Sequence, residues 1–377
     1  MLASDLILAV ESIAPPALAE PWDNTGLILG DRAAGLAGPV LLTIDLTAPV
    51  MAEALAVRAG AVISYHPPIF RPVHRITADS AEGRVLLQAL GAGVLVYSPH
   101  TALDAAEGGM TDWLADAVLP ETSKAGSGDR RALIQRGLPD ERQTHKIVTF
   151  VPEADVERVR NGMASAGAGL IGAYEVCSFT VAGRGSFKGG EGSRPAAGRA
   201  GQLEVVDEVR LEMVAKGAAV PLILETLYAF HPYETPAVDV YRLEDKPYRN
   251  AGAGRRVTLD QPVGLRDLAR RVEKFLGVRT RVAGPAERPI ERIGVCPGAG
   301  AALLDAACAA GAEAFVTGEL KHHEVLSALS RDCAVILAGH TATERGYLPR
   351  FAARLRERLP AAEIRVSGAD TDPLTYL

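Results

Sequence analysis

The chain has little of several features that would identify its class at once. It contains 4 cysteines in 377 residues, and no two of them form a CxxC pair. This excludes a disulfide framework or a zinc finger and favours a reducing intracellular compartment. No apolar run approaches the roughly 20 residues that cross a bilayer. Basic residues do not exceed acidic ones, 40 against 46, so the basic stripe of a nucleic-acid-binding surface is missing. We therefore expect a cytoplasmic protein with no membrane or nucleic-acid partner.

The first 20 residues are apolar but do not form a typical secretory signal. Asp5 and Glu11 interrupt them, and no lysine or arginine precedes Arg32, so the basic start of a signal peptide is missing. The apolar residues recur instead at the spacing of a helix face. The predicted face consists of Leu2, Leu6 and Val10, widened by Leu8 and Ile13.

Two hydrophobic patterns divide the chain. From about residue 39 to 117, and again after about residue 252, apolar runs alternate with helical segments, which indicates βαβ units on a mostly parallel sheet. From about residue 145 the predicted order is β-α-β-β-α-β, as in a ferredoxin-like fold. We predict an α/β protein in which two related halves, residues 1–130 and 252–377, form one domain. A ferredoxin-like domain, residues 143–248, is inserted between them, and the polar stretch at 121–133 is an irregular excursion.

Histidines and carboxylates follow three of the predicted strands. His66 follows the run AVIS, His100 and Asp104 follow VLVYS, and His340 and Glu344 follow VILA. Loops at the carboxyl ends of strands are where open α/β sheets bind ligands. Imidazoles and carboxylates together suit zinc, manganese, iron or cobalt, and bridging carboxylates allow two ions. The domain of two halves is therefore predicted to bind metal; the alternative for each residue is a structural, hydrogen-bonded polar group.

Longer motifs in these segments resemble one family, the Nif-three-like dinuclear-metal proteins, often labelled GTP cyclohydrolase 1 type 2 homologues. The motifs are PWDNTGLILG at 21–30, SYHPPIF at 64–70, SPHTALDAAEGG at 98–109, VTGELKHHE at 316–324 and GHTATE at 339–344. HPYETPAVDVY at 231–241 is similar to the signature of a PII- or CutA-like inserted domain that longer bacterial members carry.

The resemblance implies a site for two divalent metal ions in a toroidal homohexamer, a trimer of dimers. Its ligands map onto His66, Asp104, His340 and Glu344. The family label also implies a hydrolase that acts on GTP or a related purine- or pterin-type small molecule.

Two further histidines are predicted to move protons. His323 resembles a residue near the metal cleft of the family, and the alternative is a solvated histidine at a helix start. His100 is the second candidate. Tyr65 stands where the common bacterial pattern has another histidine, and a phenol of pKa ~10 is a poorer ligand than an imidazole. We predict that Tyr65 hydrogen-bonds a water between the ions and that His100 replaces the missing ligand or orients a neighbour.

Several residues have two interpretations. Asp45, at a strand end, is expected to orient a histidine or the substrate. Cys296, in the turn CPGAG, is either a nucleophile or part of an anion-binding turn. Trp22, Asp23 and Asn24 are expected to form a structural turn with one edge toward the cleft, and the alternative is a functional role. His231, Tyr233 and Glu234 either bind a small ligand or a second metal, or cap and pin the last strand of the insert.

Two classes of function remain open. The first is a metal-dependent hydrolase. The second is a non-enzymatic, metal-binding regulatory or scaffold hexamer whose inserted domain senses a small molecule.

Overall fold

The computed structural model describes residues 1–137, 143–244 and 247–374. The chain divides into two compact units: unit 1 contains residues 1–137 and 247–377, and unit 2 contains residues 138–246. Residues 245–246 of the predicted insert and residues 375–377 at the predicted end of the metal-binding domain lie outside the described residues. Both units mix helices with sheets.

The first sheet of unit 1 has a core of strands that are completely buried. Every residue of β2 (Val40–Thr43), β3 (Ala61–Ser64) and β4 (Leu95–Ser98) is buried, which explains their nearly unbroken apolar sequences. They pair in parallel; β17 (Ile364–Val366) joins β2 in parallel, and β1 (Gly26–Leu29) joins β4 antiparallel. The order is β1-β4-β3-β2-β17. The helices of this part are α1 (Ala3–Ile13), α2 (Ala48–Ala56), α3 (Ala81–Gly91), α4 (His100–Ala105) and α5 (Met110–Asp116).

The second sheet of unit 1 repeats the parallel core. Its parallel strands are β14 (Pro289–Ala299), β15 (Ala314–Glu319) and β16 (Ala334–Leu337), and its antiparallel strands are β5 (Asp129–Arg131), β12 (Arg255–Gly264) and β13 (Arg281–Ala283). The order is β13-β16-β15-β14-β12-β5. Part of the predicted irregular excursion is therefore strand β5, which pairs with β12, a partner more than a hundred residues away in the chain.

The remaining elements of unit 1 cover these sheets or form a separate ribbon. The ribbon pairs β6 (Ile134–Gly137) antiparallel with β11 (Pro247–Ala253). The helices are α8 (Leu265–Leu276), α9 (Leu304–Ala309), α10 (His322–Leu329), α11 (Ala342–Arg345) and α12 (Leu348–Arg358).

A buried ion pair joins the two sequence segments of unit 1. Arg255, at the start of β12, is 0% exposed, and its Nε donates to Asp112 Oδ1 in α5 over 2.8 Å. The remaining donors of its guanidinium bond the carbonyl oxygens of Gly252, Gly254 and Ala106. Because every donor has a partner, the large cost of burying this charge is offset.

Helix α1 confirms the predicted helix and corrects its apolar face. Leu6, Val10 and Ile13 are buried, whereas Leu8 is 61% exposed and Ile7 is buried in its place. Successive helical residues are about 100° apart, so Leu8 lies far around the helix from Leu6. Leu2 precedes the helix and is also exposed. Among the described residues, no helix has the length and apolar character needed to cross a membrane.

Unit 2 is a four-stranded antiparallel sheet with two helices. Its elements are β7 (His145–Val151), α6 (Val156–Ser165), β8 (Phe179–Lys188), β9 (Leu203–Ala215), α7 (Val220–Phe230) and β10 (Val238–Arg242), with strand order β10-β7-β9-β8. Alternate residues at the end of β9, Leu211 and Met213, are buried with Ile223 and Leu227 of α7. The period of two places one face of the strand in the core.

Candidate metal centre

The predicted metal ligands of unit 1 lie at the carboxyl ends of its parallel strands. His66 follows β3, Asp104 lies in α4 after β4, His340 follows β16 and Glu344 lies in α11. Parallel strands end at a common edge, so ligands from each sheet collect there. All four residues line one cavity of about 500 Å³.

His66, His340 and Glu344 form the closest group. Each offers one donor atom, and these atoms all lie within 4.8 Å of one another. Glu344 Oε1 is 3.3 Å from His340 Nε2, and Glu344 Oε2 is 3.7 Å from His66 Nε2.

The buried carboxylate of Glu344 lacks a partner on one side. Glu344 is 2% exposed, and its Oε2 has no hydrogen-bond partner. Leaving such an atom unsatisfied costs about 1–3 kcal/mol, and more for a charged group. A divalent ion with ligand bonds of about 2 Å would satisfy it, and two imidazoles with one carboxylate are ordinary ligands for such ions. These residues therefore fit a metal ion.

Two outer carboxylates orient the histidine rings. His66 Nδ1 is 2.9 Å from Asp45 Oδ1, and His340 Nδ1 is 3.0 Å from Glu319 Oε1. In both rings the anchored Nδ1 leaves Nε2 facing Glu344, an arrangement that metal sites use to hold their histidines. Of the two interpretations of Asp45, its geometry favours the orientation of a histidine. Nothing in the sequence pattern singled out Glu319, although it ends strand β15.

Neighbouring carboxylates raise the pKa of both histidines. The hydrogen bond with Glu344 raises the pKa of His340 to about 9. Burial lowers the pKa of His66, but its hydrogen bond with Asp45 and the charge of Glu344 outweigh burial and raise it. Burial raises the pKa of Asp45, yet the contact with His66 leaves it lowered. Because ligands must be deprotonated, metal binding here would compete with protons.

Asp104 lies against Tyr65 on the wall of the cavity. The Tyr65 hydroxyl donates to Asp104 Oδ1 over 2.7 Å. Burial, together with the charge of Glu344, raises the pKa of Asp104 to about 7, although His100, Tyr65 and His66 act in the opposite direction. Burial and the charges of Asp104 and Glu344 raise the pKa of Tyr65 well above its ordinary value. Tyr65 thus stays a phenol that donates to a predicted ligand, and its contact with a water between the ions stays a prediction.

His100 is held in a strained conformation beside the group. Its Nδ1 is 2.7 Å from Asp23 Oδ1, and its ring centroid is 5.2 Å from that of His66. Its φ of 25° lies on the positive side, a region that costs a non-glycine residue about 1–3 kcal/mol. Asp23 also accepts from the backbone N–H of Thr101, which explains how the turn holds this conformation.

Gly298 is a site residue that the sequence analysis missed. Its φ is +59°, and a Cβ at this position would lie 2.5 Å from Glu344 Oε1 and 3.1 Å from His340 Nε2. The available signal was the CPGAG turn, which we interpreted as an anion-binding site. Here the turn lets the backbone approach the ligands closely.

The two remaining candidates, Cys296 and His323, differ in their position relative to the cavity. The Cys296 thiol lines the cavity, but burial and the charges of Asp104 and Glu344 raise its pKa, which keeps it protonated and disfavours a nucleophile. His323 is exposed at the start of α10, beside His322, and does not line the cavity. Its proton-transfer role stays a prediction.

The candidate residues of unit 2 form hydrogen bonds within that unit. His231 Nε2 bonds Phe150 O over 3.1 Å, and His231 Nδ1 accepts from the Tyr233 N–H over 3.1 Å. The Tyr233 hydroxyl donates to Glu208, and Glu234 accepts from the backbone N–H of Arg194. These bonds favour a structural role for His231, whereas Tyr233 and Glu234 also line a cavity of unit 2.

Fold and site together define a mixed α/β protein with a candidate metal centre at the strand ends. A family model described as Duf34/NIF3 (NGG1p interacting factor 3) matches residues 1–373. The chain belongs to this family, which confirms the resemblance seen in the motifs.

Relatives and solved structures match along almost the full chain. A protein of Bacillus subtilis (strain 168) is 33% identical over 377 residues, covering 99% of this chain and 98% of the relative, and one of Halalkalibacterium halodurans is 31% identical over 376 residues, covering 99% and 98%. Both are named GTP cyclohydrolase 1 type 2 homolog. A Bacillus cereus protein related to NIF3 has a similar structure, with 30% identity, a TM-score of 0.72 and coverage of 100% and 99%. A Staphylococcus aureus structure has 25% identity, a TM-score of 0.79 and the same coverage.

Proposed function

We propose that this protein is a metal-dependent hydrolase that acts on GTP or a related purine- or pterin-type small molecule through two divalent ions. The observation that carries the proposal is the buried, unpaired Glu344 Oε2, with His66 Nε2 and His340 Nε2 on either side of the carboxylate. The name shared by the relatives, a homology label, supports the choice of substrate.

The proposed ligands are His66, Asp104, His340 and Glu344. They would hold ions such as zinc, manganese, iron or cobalt, which lower the pKa of a bound water and polarise the substrate. Asp45 and Glu319 keep the two imidazoles in place through their Nδ1 atoms. Asp104 comes from the same sheet as His66, after β4, with one oxygen bonded to Tyr65.

His100 and His323 are the proposed proton carriers, and the support for them differs. His100 lines the cavity, and Asp23 fixes its Nδ1, so that its Nε2 is left to exchange a proton with substrate or water. His323 lies outside the cavity of its own chain. A neighbouring subunit of the proposed homohexamer would have to bring it to the site.

We also propose the domain division 1–130, 143–248 and 252–377 with a ferredoxin-like, PII/CutA-like insert. The β-α-β-β-α-β order of unit 2 and its strand order β10-β7-β9-β8 support this assignment. Leu203 and Val205, alternate residues on one face of β9, are 72% and 52% exposed. Such apolar exposure supports an assembly, proposed as a cytoplasmic homohexamer.

The decisive experiment measures turnover with defined metals. Protein loaded with zinc, manganese, iron or cobalt is incubated with GTP or guanosine, and opening of the imidazole ring is followed by absorbance and formate release. A pterin has no imidazole ring, so its conversion is followed by the change in its absorbance alone. We expect turnover with at least one metal and none in His340→Ala. His74→Ala, which changes an exposed histidine outside the cavity, should retain it. Absence of turnover with every metal would contradict the hydrolase proposal.

The second candidate function, a regulatory or scaffold protein, has its own supporting observation. Unit 2 contains a cavity of about 420 Å³ whose lining includes Lys188, Arg194 and Glu208. Such a pocket is large enough for a small molecule. Metal binding without turnover, combined with ligand binding that Lys188→Ala weakens, would favour this function.

A further inference from the structure

The cavity of the candidate metal centre lacks basic side chains in its wall. Among the residues that the structure describes there, none is a lysine or an arginine, whereas Glu20, Asp104 and Glu344 are acidic. Arg136 forms an ion pair with Glu20 of this wall, with 2.6 Å between Nη2 and the carboxylate, so the two charges neutralise each other. Proteins that hold phosphate groups normally supply arginine, lysine or a row of backbone N–H groups.

Two exposed aromatic rings belong to the same cavity. Trp22 is 61% exposed and Phe70 is 52% exposed, and their ring centroids are 6.0 Å apart at 63°. Both rings also contact His100 edge-on, with centroid distances of 6.2 Å and 6.3 Å. Asn24 Nδ2 donates to Ile69 O, which ties the two aromatic loops together.

Aromatic side chains of this size are costly to leave in water unless something covers them. Planar heterocycles stack on such rings, and the gain does not depend on ligand charge. The opposite wall is also apolar, with Pro297, Ala302 and Leu303. The volume of about 500 Å³ lies in the range that holds a single small molecule.

We infer that the cavity binds an uncharged planar heterocycle of the nucleoside or pterin type, stacked on one of the rings of Trp22 and Phe70 and in edge contact with the other, in preference to a nucleoside triphosphate. This inference narrows the substrate class of the site and rests on the proposed function for the chemistry that follows binding. A triphosphate would bring several negative charges to a wall whose described residues supply no lysine or arginine to pair with them. The neutral ring would instead lie against Trp22 and Phe70, with its polar edge toward His66 and His340.

Guanosine and GTP form a matched ligand pair because they differ only in the triphosphate. Calorimetric titrations use the full-length protein as purified and after dialysis against EDTA, with pterin as a third ligand. We expect guanosine or pterin to bind both forms. We expect GTP to bind the EDTA-treated form at least about tenfold more weakly than guanosine.

Substitutions test the stacking directly. Trp22→Ala and Phe70→Ala should each weaken guanosine or pterin binding by about tenfold or more, the scale of one lost stacking partner. Tyr174→Ala removes a 75% exposed aromatic residue of unit 2 and should change nothing. Fluorescence offers a second readout because Trp22 and Trp113 are the two tryptophans, and Trp113 is 9% exposed. In a Trp113→Phe background, ligand should quench the remaining emission.

Two results would overturn the inference: GTP binding to the EDTA-treated protein as tightly as guanosine, or guanosine and pterin affinities unchanged in Trp22→Ala and Phe70→Ala. Failure of both neutral ligands to bind either form would overturn it as well. Binding without turnover would contradict the hydrolase and leave this inference intact. Turnover of GTP without binding of neutral rings would support the hydrolase and overturn this inference.

Discussion

The histidines of the two units use their ring nitrogens differently. In unit 1, His66 and His340 each bind an outer carboxylate through Nδ1 and turn Nε2 toward Glu344. In unit 2, His231 uses both nitrogens in hydrogen bonds with nearby backbone. A protein normally pairs every buried polar atom. An anchored histidine with one nitrogen directed at an unpaired carboxylate therefore indicates a ligand site, whereas complete pairing indicates a structural role.

The carboxylates show the same contrast. Glu344 in unit 1 has an oxygen without a partner, whereas Glu208 and Glu234 in unit 2 accept hydrogen bonds. Unit 1 also holds strain beside its site, at His100, whereas Val176, a strained residue of unit 2, does not line the cavity of that unit. Strain and unpaired groups concentrate where a protein binds something. This comparison makes unit 1 the place to look for metal chemistry.

Glu344→Gln should produce the largest effect. The amide keeps the shape but lacks the charge, so we expect metal affinity to fall by more than about 100-fold. Loss of a residue that only hydrogen-bonds a ligand typically lowers metal affinity by about 10- to 100-fold. The rise in melting temperature on adding zinc should disappear, because that rise follows the affinity for the folded state. Glu208→Gln in unit 2 should retain both the metal affinity and the rise in melting temperature on adding zinc. An equal loss in the two variants would break the comparison between the units.

Gly298→Ala should follow, with metal affinity lowered by about 10- to 100-fold, because the new methyl group displaces Glu344 and His340. Gly277→Ala is the matched control: its φ is +70°, and nothing lies within 4 Å of the added Cβ. Both variants suffer similar backbone strain. If their urea midpoints are equal but calorimetry gives a lower zinc affinity for Gly298→Ala, the loss comes from the contact of the methyl group with Glu344 and His340. Equal affinities would show that the close approach is irrelevant to metal binding.

Tyr65→Phe should have an intermediate effect. It removes the donor to Asp104, and a hydrogen bond to a charged group is worth about 1.5–3 kcal/mol. We expect metal affinity to fall by about tenfold and the urea midpoint, followed by the tryptophans of unit 1, to decrease. Tyr233→Phe removes an equivalent bond to Glu208 in unit 2 and should leave metal affinity unchanged. An unchanged affinity in Tyr65→Phe would separate Asp104 from the centre.

The smallest effect concerns acid stability of unit 2. Burial lowers the pKa of His231 below 6.5, and its Nδ1 must stay unprotonated to accept from Tyr233. A lowered folded pKa means that the unfolded state binds more protons. The stabilisation is therefore complete above about pH 6.5 and is lost as the pH falls through the folded pKa.

Hydrogen exchange of peptides from residues 143–244, corrected for intrinsic rates, should show weaker protection at pH 5 than at pH 7. His231→Gln should reduce that difference, while His74→Gln, an exposed change in unit 1, should keep it. Protection that rises on acidification of the wild type would contradict the assignment.

The parallel strands of unit 1 were predictable because burial on both faces leaves a continuous apolar sequence. β3, β4 and β16 are such runs, and each precedes a predicted ligand. β5 has a polar sequence, and its pairing with β12 depends on a partner distant in the chain. The Arg255–Asp112 pair was equally hidden, because an arginine is almost never fully buried and local pattern gives no sign of it.

Local periodicity and short motifs encode the family, the alternation of strands and helices, and the histidines and carboxylates that follow the strands, so all three could be predicted. Which of these residues meet depends on the tertiary structure. It placed His66 beside His340 and Glu344, left His323 outside the cavity of its own chain, and brought Gly298 and Glu319 to the centre. Distances between residues far apart in the chain depend on how two sheets pack, and no local pattern records that packing.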